Sequence, residues 1–195
     1  LDKPRPQYGE NEAYRNTYKW YLYPKGTMLV LVDAGIYDAV KTSIDQYVLD
    51  VGYDGYWATV HTVNGGHPSI VREFIKSRNP VGALLVGALP VPWYEVDGDN
   101  FPCDLYYMDK DGIWGDPDND GRFDEHDGNV NPEIWVGRIW TPTVGGRDVE
   151  LIKDYFSRNH QFRLGQLGHA RSALAYVDDD WQSFDDCAFD MMMPT

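Results

Sequence analysis

The stretch "VGALLVGALPVPW", residues 81–93, decides the fold. It is strand-sized and far too short to span a membrane. Its apolar residues do not alternate with polar ones, and that pattern marks a strand covered on both faces, as in a parallel sheet. The prolines Pro90 and Pro92 then interrupt regular pairing. Upstream, "TMLVLVDAGIY" (27–37) is a second run of the same kind, ending in Asp33, Ala34 and Gly35. Between the two runs, Val40, Ile44, Tyr47, Val48 and Val51 recur at helical spacing and predict a helix from Tyr37 to about Val51. "YWATVHTV" (56–63) alternates and is rich in β-formers, so it predicts another strand. Pro68 marks a helix start, with Ile70, Val71, Phe74 and Ile75 as an apolar stripe running through Ser77. Three strands alternating with two helices predict right-handed βαβ units. The fold class is therefore α/β, a mostly parallel sheet flanked by helices.

Beyond Trp93 the texture changes. "CDLYYMD" (103–109) and "EIWVGRIW" (133–140) read as strands, and an acidic stretch between them predicts a β-hairpin excursion. "GRDVELIKDYFSRNHQFRLG" (146–165) reads as a helix with Val149, Ile152, Tyr155 and Phe156 on one face. "ARSALAYVDDDW" (170–181) reads as one more strand with acids at its C-terminal end. Residues 1–26, rich in Pro, Tyr and charge, form an N-terminal arm, and residues 27–195 form the α/β domain. Open α/β sheets bind ligands beyond the carboxyl ends of their strands. Asp33, Pro90 to Trp93 and Asp178 to Asp180 fall on that edge.

The chain has 195 residues, 43% of them hydrophobic and 14% aromatic, enough for a sizeable core and too apolar for disorder. Its formal charge of −14 repels nucleic acid and anionic membranes and suits cation binding or a secreted protein. No membrane span is expected. Cys103 and Cys187 are its two cysteines, so one disulfide is possible and a thiolate zinc cluster is not. A start at Leu1 reads as a mature or excised piece of a longer precursor.

"DPDNDGRFDEHDG" (116–128) is the strongest motif. A chain wrapping a hard cation points every second side chain inward, and a central glycine lets it reverse. On that spacing the ligands are Asp116, Asp118, Asp120, the backbone carbonyl of Arg122, Asp124 through water, and Asp127 at the closing position. The closing residue is Asp where Glu would normally coordinate with both oxygens, and the shorter side chain either weakens the site or brings in Glu125 or a water instead. The flanks are β-like and exclude an EF-hand, so Ca2+ here would clasp a turn. The alternative is a solvated Asp- and Gly-rich turn. Mutual repulsion of five acids favours the cation. "DKDG", with Asp109 and Asp111, reads as a hairpin turn, a second oxygen cluster being the weaker alternative.

In this order, "VGALLVGALPVPWYE", "PCDLYYMD", the aspartate loop, "GNVNPEIWVGRIW" and "YFSRNHQFRLG" resemble the gingipain-like family of cysteine peptidases, relatives of the caspases. The resemblance spans residues 27 to 180 and is strongest from 81 to 165. It implies a caspase-like half-domain, the first half of a secreted catalytic unit whose substrate is polypeptide. In that family the working residues are a His followed by Gly and a Cys at a later strand end. None of His61, His67, His126, His160 and His169 is followed by Gly. Cys187 lies among Asp185, Asp186 and Asp190, and Cys103 precedes Asp104, which is the wrong electrostatics for a thiolate. No catalytic residue is assigned within these 195 residues, and the dyad is expected on a C-terminal continuation of the same precursor. His67 reads as a helix-start residue, His126 as a loop residue beside the metal, and His160 as part of a helix.

One substrate-binding residue follows from the resemblance. In arginine-specific members an Asp shortly after the "LLVG"-like strand meets a basic side chain, and "CDLYY" puts Asp104 there. The alternative for Asp104 is a turn cap or a hydrogen bond to a neighbouring strand. The expected function is thus a portion of a calcium-stabilised cysteine endopeptidase. The rival is a non-catalytic calcium-binding extracellular module for surface attachment or assembly through a partner protein, with "YRNTYKWYLYP" as a contact surface.

Overall fold

A computed structural model describes residues 24–142 and 145–167. Strand β1 (Gly26–Asp33) leads into helix α1 (Tyr37–Tyr53), then β2 (Tyr56–Val63), α2 (Pro68–Arg78) and β3 (Gly82–Val86). A long excursion follows before β8 (Trp135–Ile139) and α4 (Asp148–Arg163). The sheet order is β2-β1-β3-β8, and all its pairs are parallel. The two unbroken apolar runs are therefore the two central strands, which need cover on both faces. Among the described residues, the alternating β2 lies at one edge of the sheet and is half-exposed.

The pleat sorts the core into two layers. Leu29, Leu31, Ala83 and Leu85 lie under α2, through its Val71 and Ile75, and under the excursion. Met28, Val30, Val32, Leu84 and Val86 lie under α1 and α4, through Val40, Ile44, Ile152 and Phe156. Each fully buried aliphatic side chain stabilises the fold by about 1.5–3 kcal/mol before entropy is charged against it. Across the α1–α4 contact, buried Asp50 accepts from His160 Nδ1 at 2.9 and 3.0 Å, and Tyr47 meets Phe156 with ring centroids 5.1 Å apart. Where β3 meets β8, Gly82 opposes Trp135, and a Cβ there would lie 2.0 Å from the indole. His67 caps α2, its Nδ1 accepting from Ser69 N–H at 3.2 Å, just before Pro68 at the first turn.

The excursion holds two small antiparallel ribbons. Strands β4 (Trp93–Val96) and β5 (Asp99–Pro102) turn on Asp97 and Gly98, both at positive φ (53° and 87°). Strands β6 (Ile113–Gly115) and β7 (Glu125–Asp127) pair antiparallel, and residues 116–124 connect them. Between the ribbons, the expectation of a strand over 103–109 is wrong: Leu105–Met108 is a single helical turn, α3. Tyr106 N–H and Tyr107 N–H bond back to Cys103 and Asp104, and both tyrosines, read as β-formers, are core residues. Tyr106 stacks on Phe123 at 4.3 Å, and the Tyr107 hydroxyl donates to the Pro90 carbonyl at 2.8 Å.

The arm up to residue 23, the strand expected over 170–181, the acids Asp178 to Asp180, and Cys187 lie outside the described residues. Among those described, no helix is long and apolar enough to cross a membrane.

Candidate metal centre and the carboxyl edge of the sheet

The loop between β6 and β7 is wound by its own side chains. Asp120 N–H donates to Asp116 Oδ1 and to Asp118 Oδ1, each at 3.2 Å, and Gly121 N–H donates to Asp116 Oδ2 at 3.0 Å. Arg122 N–H donates to Asp120 Oδ1 at 2.9 Å. Asn119 (φ 60°) and Gly121 (φ 92°) supply the left-handed backbone that the reversal requires. Asp116, Asp118 and Asp120 each thereby present a carboxylate oxygen within 4.8 Å of the others. Three oxygen donors on a tight turn suit a hard cation such as calcium or magnesium. This group could hold a metal ion.

The other expected ligands stand differently. The Asp124 backbone is fixed by its N–H to the Gly115 carbonyl at 2.9 Å. Its carboxyl is pushed up, first by loss of water around it and then by Asp118, Asp120, Glu95 and Asp116. Asp127 is exposed in β7 opposite Ile113, about 10 Å along the chain from Asp124 at strand rise. The Arg122 guanidinium sits 2.9 Å from both Asp120 Oδ2 and Glu95 Oε2. An open groove of about 410 Å³ beside the loop is lined by Tyr94, Ile113 and the acids Asp124, Glu125 and Asp127.

A second acidic group, Asp109, Asp111 and Glu133, also converges within 4.8 Å. Asp109, however, is fully buried and takes three donors. It accepts from Gly112 N–H at 2.7 Å, the Trp114 indole at 3.0 Å and His126 Nε2 at 2.7 Å. His126, expected in a loop beside the metal, is a β7 residue facing this carboxylate; alternation along the strand turns it inward. Arg72 on α2 completes the hub, donating to the carbonyls of Tyr106, Asp109 and Gly112 at 2.7–2.8 Å. The hub bolts the excursion to the sheet's helix layer.

Burial alone would raise the Asp109 carboxyl, but the bonds from His126, Gly112 and Trp114 outweigh it and hold the carboxyl below its usual value. A depressed folded-state pKa gives stability that is present above the ordinary carboxylate range, about pH 4, and is lost as pH falls through the folded value. Replacing His126 with Phe removes the largest of these bonds. The expected result is an acid-unfolding transition displaced to higher pH than in the wild type, read by tryptophan fluorescence. Coincident transitions would show that His126 does not hold the proton off Asp109.

At the carboxyl edge of the sheet, Asp33 accepts from Gly35 N–H at 2.8 Å and from Ala88 N–H at 3.2 Å, tying the β1 and β3 exits together. Asp104 follows the β4–β5 ribbon in the chain, at the start of α3. Its carboxylate is held by a two-pronged fork from Arg138 on β8, Nε to Oδ2 and Nη2 to Oδ1, both 2.8 Å. Arg138 also donates to the Leu89 and Pro90 carbonyls. Nothing in the local sequence pairs residues 104 and 138: Asp104 stands at the start of α3 in the excursion and Arg138 on β8, and only the tertiary fold brings them together.

Cys103 is free and half-buried. Burial pushes its thiol up, backbone N–H groups of Leu105 and Tyr106 offset part of this, and Asp104 adds to the rise. The described histidines are all engaged elsewhere: His61 against Phe74, His67 as a helix cap, His126 with Asp109 and His160 with Asp50. No protein-family model matches this sequence, and comparison with curated proteins and with solved structures found no match either.

Proposed function

We propose that this chain is the non-nucleophilic part of a secreted gingipain-like cysteine endopeptidase, with calcium clasping the loop from Asp116 to Asp127. The observation that carries this reading is the edge of the sheet. Asp104, the residue the resemblance gives to a basic substrate side chain, lies with Leu89 and Pro90 beyond the carboxyl end of β3, the place where open α/β sheets bind ligands. Its carboxylate already takes a guanidinium in the geometry a substrate arginine would use. An incoming arginine would exchange with Arg138. The test is to treat the native protein from its source with a thiol-reactive arginyl peptide and map the adduct. An adduct on a strand-end cysteine outside residues 1–195 supports the reading. Absence of any adduct, with no cleavage of arginyl peptides, sinks it.

The engaged histidines and the raised Cys103 thiol favour a second reading: a non-catalytic extracellular module, held by calcium, for surface attachment or assembly. Native protein that binds a partner protein yet leaves it uncleaved would favour this one.

Calcium itself is tested by thermal unfolding. At a hundredfold excess over Kd, a bound ion adds about 2.7 kcal/mol, which raises the midpoint by roughly 5–11 °C over chelator for a domain of this size. Asp118→Ala should abolish the shift. Equal midpoints with calcium and with chelator would leave the loop as a self-wound turn.

A further inference from the structure

We propose that Asn64 is a site of spontaneous covalent modification, attacked by the backbone nitrogen of Gly65 and converted to aspartate or isoaspartate. Asn64–Gly65 is the chain's single Asn–Gly pair, and asparagine is among the thermolabile residues. The step needs only water. The Gly65 nitrogen gives up its proton and bonds to Asn64 Cγ. The Cγ–Nδ2 bond breaks, and ammonia leaves with that proton, closing a cyclic imide. Water then opens the imide. Cleavage at Cγ leaves aspartate, and cleavage at the backbone carbonyl leaves isoaspartate.

The loop between β2 and α2 leaves this attack open. Asn64 and Gly65 are exposed, in irregular backbone between the end of β2 and the His67 cap. Gly65 stands at φ 60° and Gly66 at φ 99°, and a Cβ at Gly65 would have no neighbour within 4 Å. A nitrogen with no side chain beside it meets no steric barrier on its way to Cγ. Among the described residues, neither the Asn64 side chain nor the Gly65 N–H makes a hydrogen bond that the attack would have to break.

Other pairs in the described residues are closed. Asn79 and Asn131 precede prolines, whose nitrogen has no proton to lose. The Asp120 N–H that follows Asn119 is held by Asp116 and Asp118. Asn100 lies in β5 and Asn159 in α4. Asn129 precedes the β-branched Val130, which crowds the nitrogen. Aspartates before glycine present a carboxylate, a poor target for a nucleophile. Gly55, Gly112 and Gly121 also spend their N–H groups on the Gly52 carbonyl, Asp109 and Asp116.

The product alters the start of α2. Its first turn carries no acid, so a carboxylate at position 64 places negative charge just ahead of the positive end of the helix dipole. Isoaspartate lengthens the main chain between β2 and His67, whose ring caps α2 and meets Phe123 edge-on with centroids 6.4 Å apart.

The test is incubation of the native protein at mildly alkaline pH, then peptide mapping by mass spectrometry, with isoaspartyl methyltransferase labelling to separate the two products. A sample unfolded in guanidinium is the reference. The expected result is loss of Asn64 in the native protein, faster as pH rises because the attacking nitrogen must shed its proton. Both products should appear at position 64 while the other described asparagines stay intact. Asn64→Gln, which would have to close a larger ring, should remain unconverted and keep the wild-type thermal midpoint. Conversion only in the unfolded sample, conversion in neither sample, or another described site reacting before Asn64 overturns the proposal.

Discussion

Arg72→Met is expected to lower folding stability by about 3 kcal/mol, a large fraction of the roughly 5–15 kcal/mol a folded domain has. Arg72 is 8% exposed, and its guanidinium reaches three backbone carbonyls, those of Tyr106, Asp109 and Gly112, while lying 4.9 Å over the Tyr106 ring. Methionine refills much of the volume and removes a desolvated charge, which works in the variant's favour. It leaves three carbonyls without donors in a dry place, at about 1–3 kcal/mol for each buried group. The second effect wins because the guanidinium's partners are carbonyl dipoles, which cannot find water once it is gone. Arg72→Lys keeps the charge, but a single ammonium cannot span all three acceptors, so it should fall between. Urea unfolding gives the answer. A shift in ΔG below about 1 kcal/mol for the methionine variant would show that the carbonyls rehydrate freely.

Gly112→Ala should cost about as much, for a steric reason. A Cβ at Gly112 would lie 2.1 Å from Asp109 Oδ2 and 2.5 Å from His126 Nε2. These atoms are bonded to each other at 2.7 Å, and Asp109 has no exposure. The methyl cannot be accommodated without parting the pair. The loss is overpacking, typically about 1–3 kcal/mol, together with a broken buried pair, about 3–5 kcal/mol when one partner is left alone. The two overlap, so about 4 kcal/mol is expected. The discriminating measurement is a comparison with Gly112→Ala/His126→Ala. If the clash is the cause, the double variant is no less stable than the single one, because the cavity left by the imidazole receives the methyl. A double variant that loses the full sum of both changes would refute the clash.

The sheet was legible because its signal is local. Runs such as Met28–Val32 and Gly82–Val86 are apolar on both faces, and the helices between them carry their own periodicity, with His67 and Pro68 marking the start of α2. Where the reading failed, long-range partners had overridden local character. Tyr106 and Tyr107 look like strand residues, but the need to stack on Phe123 and reach Pro90 makes them one helical turn. The β4–β5 turn at Asp97–Gly98 did carry a hairpin signal that passed unused. The acidic loop's spacing was plain in the sequence, and Asp116, Asp118 and Asp120 do converge. The Asp109–His126 and Asp104–Arg138 pairs left no trace, because no spacing rule links residues 17 and 34 positions apart.

The excursion between β3 and β8 also bears on how fast the molecule can form. β8 pairs with β3, yet residues 87–134 lie between them. That pairing must wait for the ends of a long segment to meet, and the entropic toll of closure comes before the contacts that offset it. Anything that shortens the segment in advance lowers the barrier. The self-wound turn at 116–124 is made of contacts no more than five residues apart, so it can form early. By drawing the β6 and β7 ends together before distant partners meet, the turn shortens the search that β8 waits on, so a surface loop also serves as an accelerator of assembly.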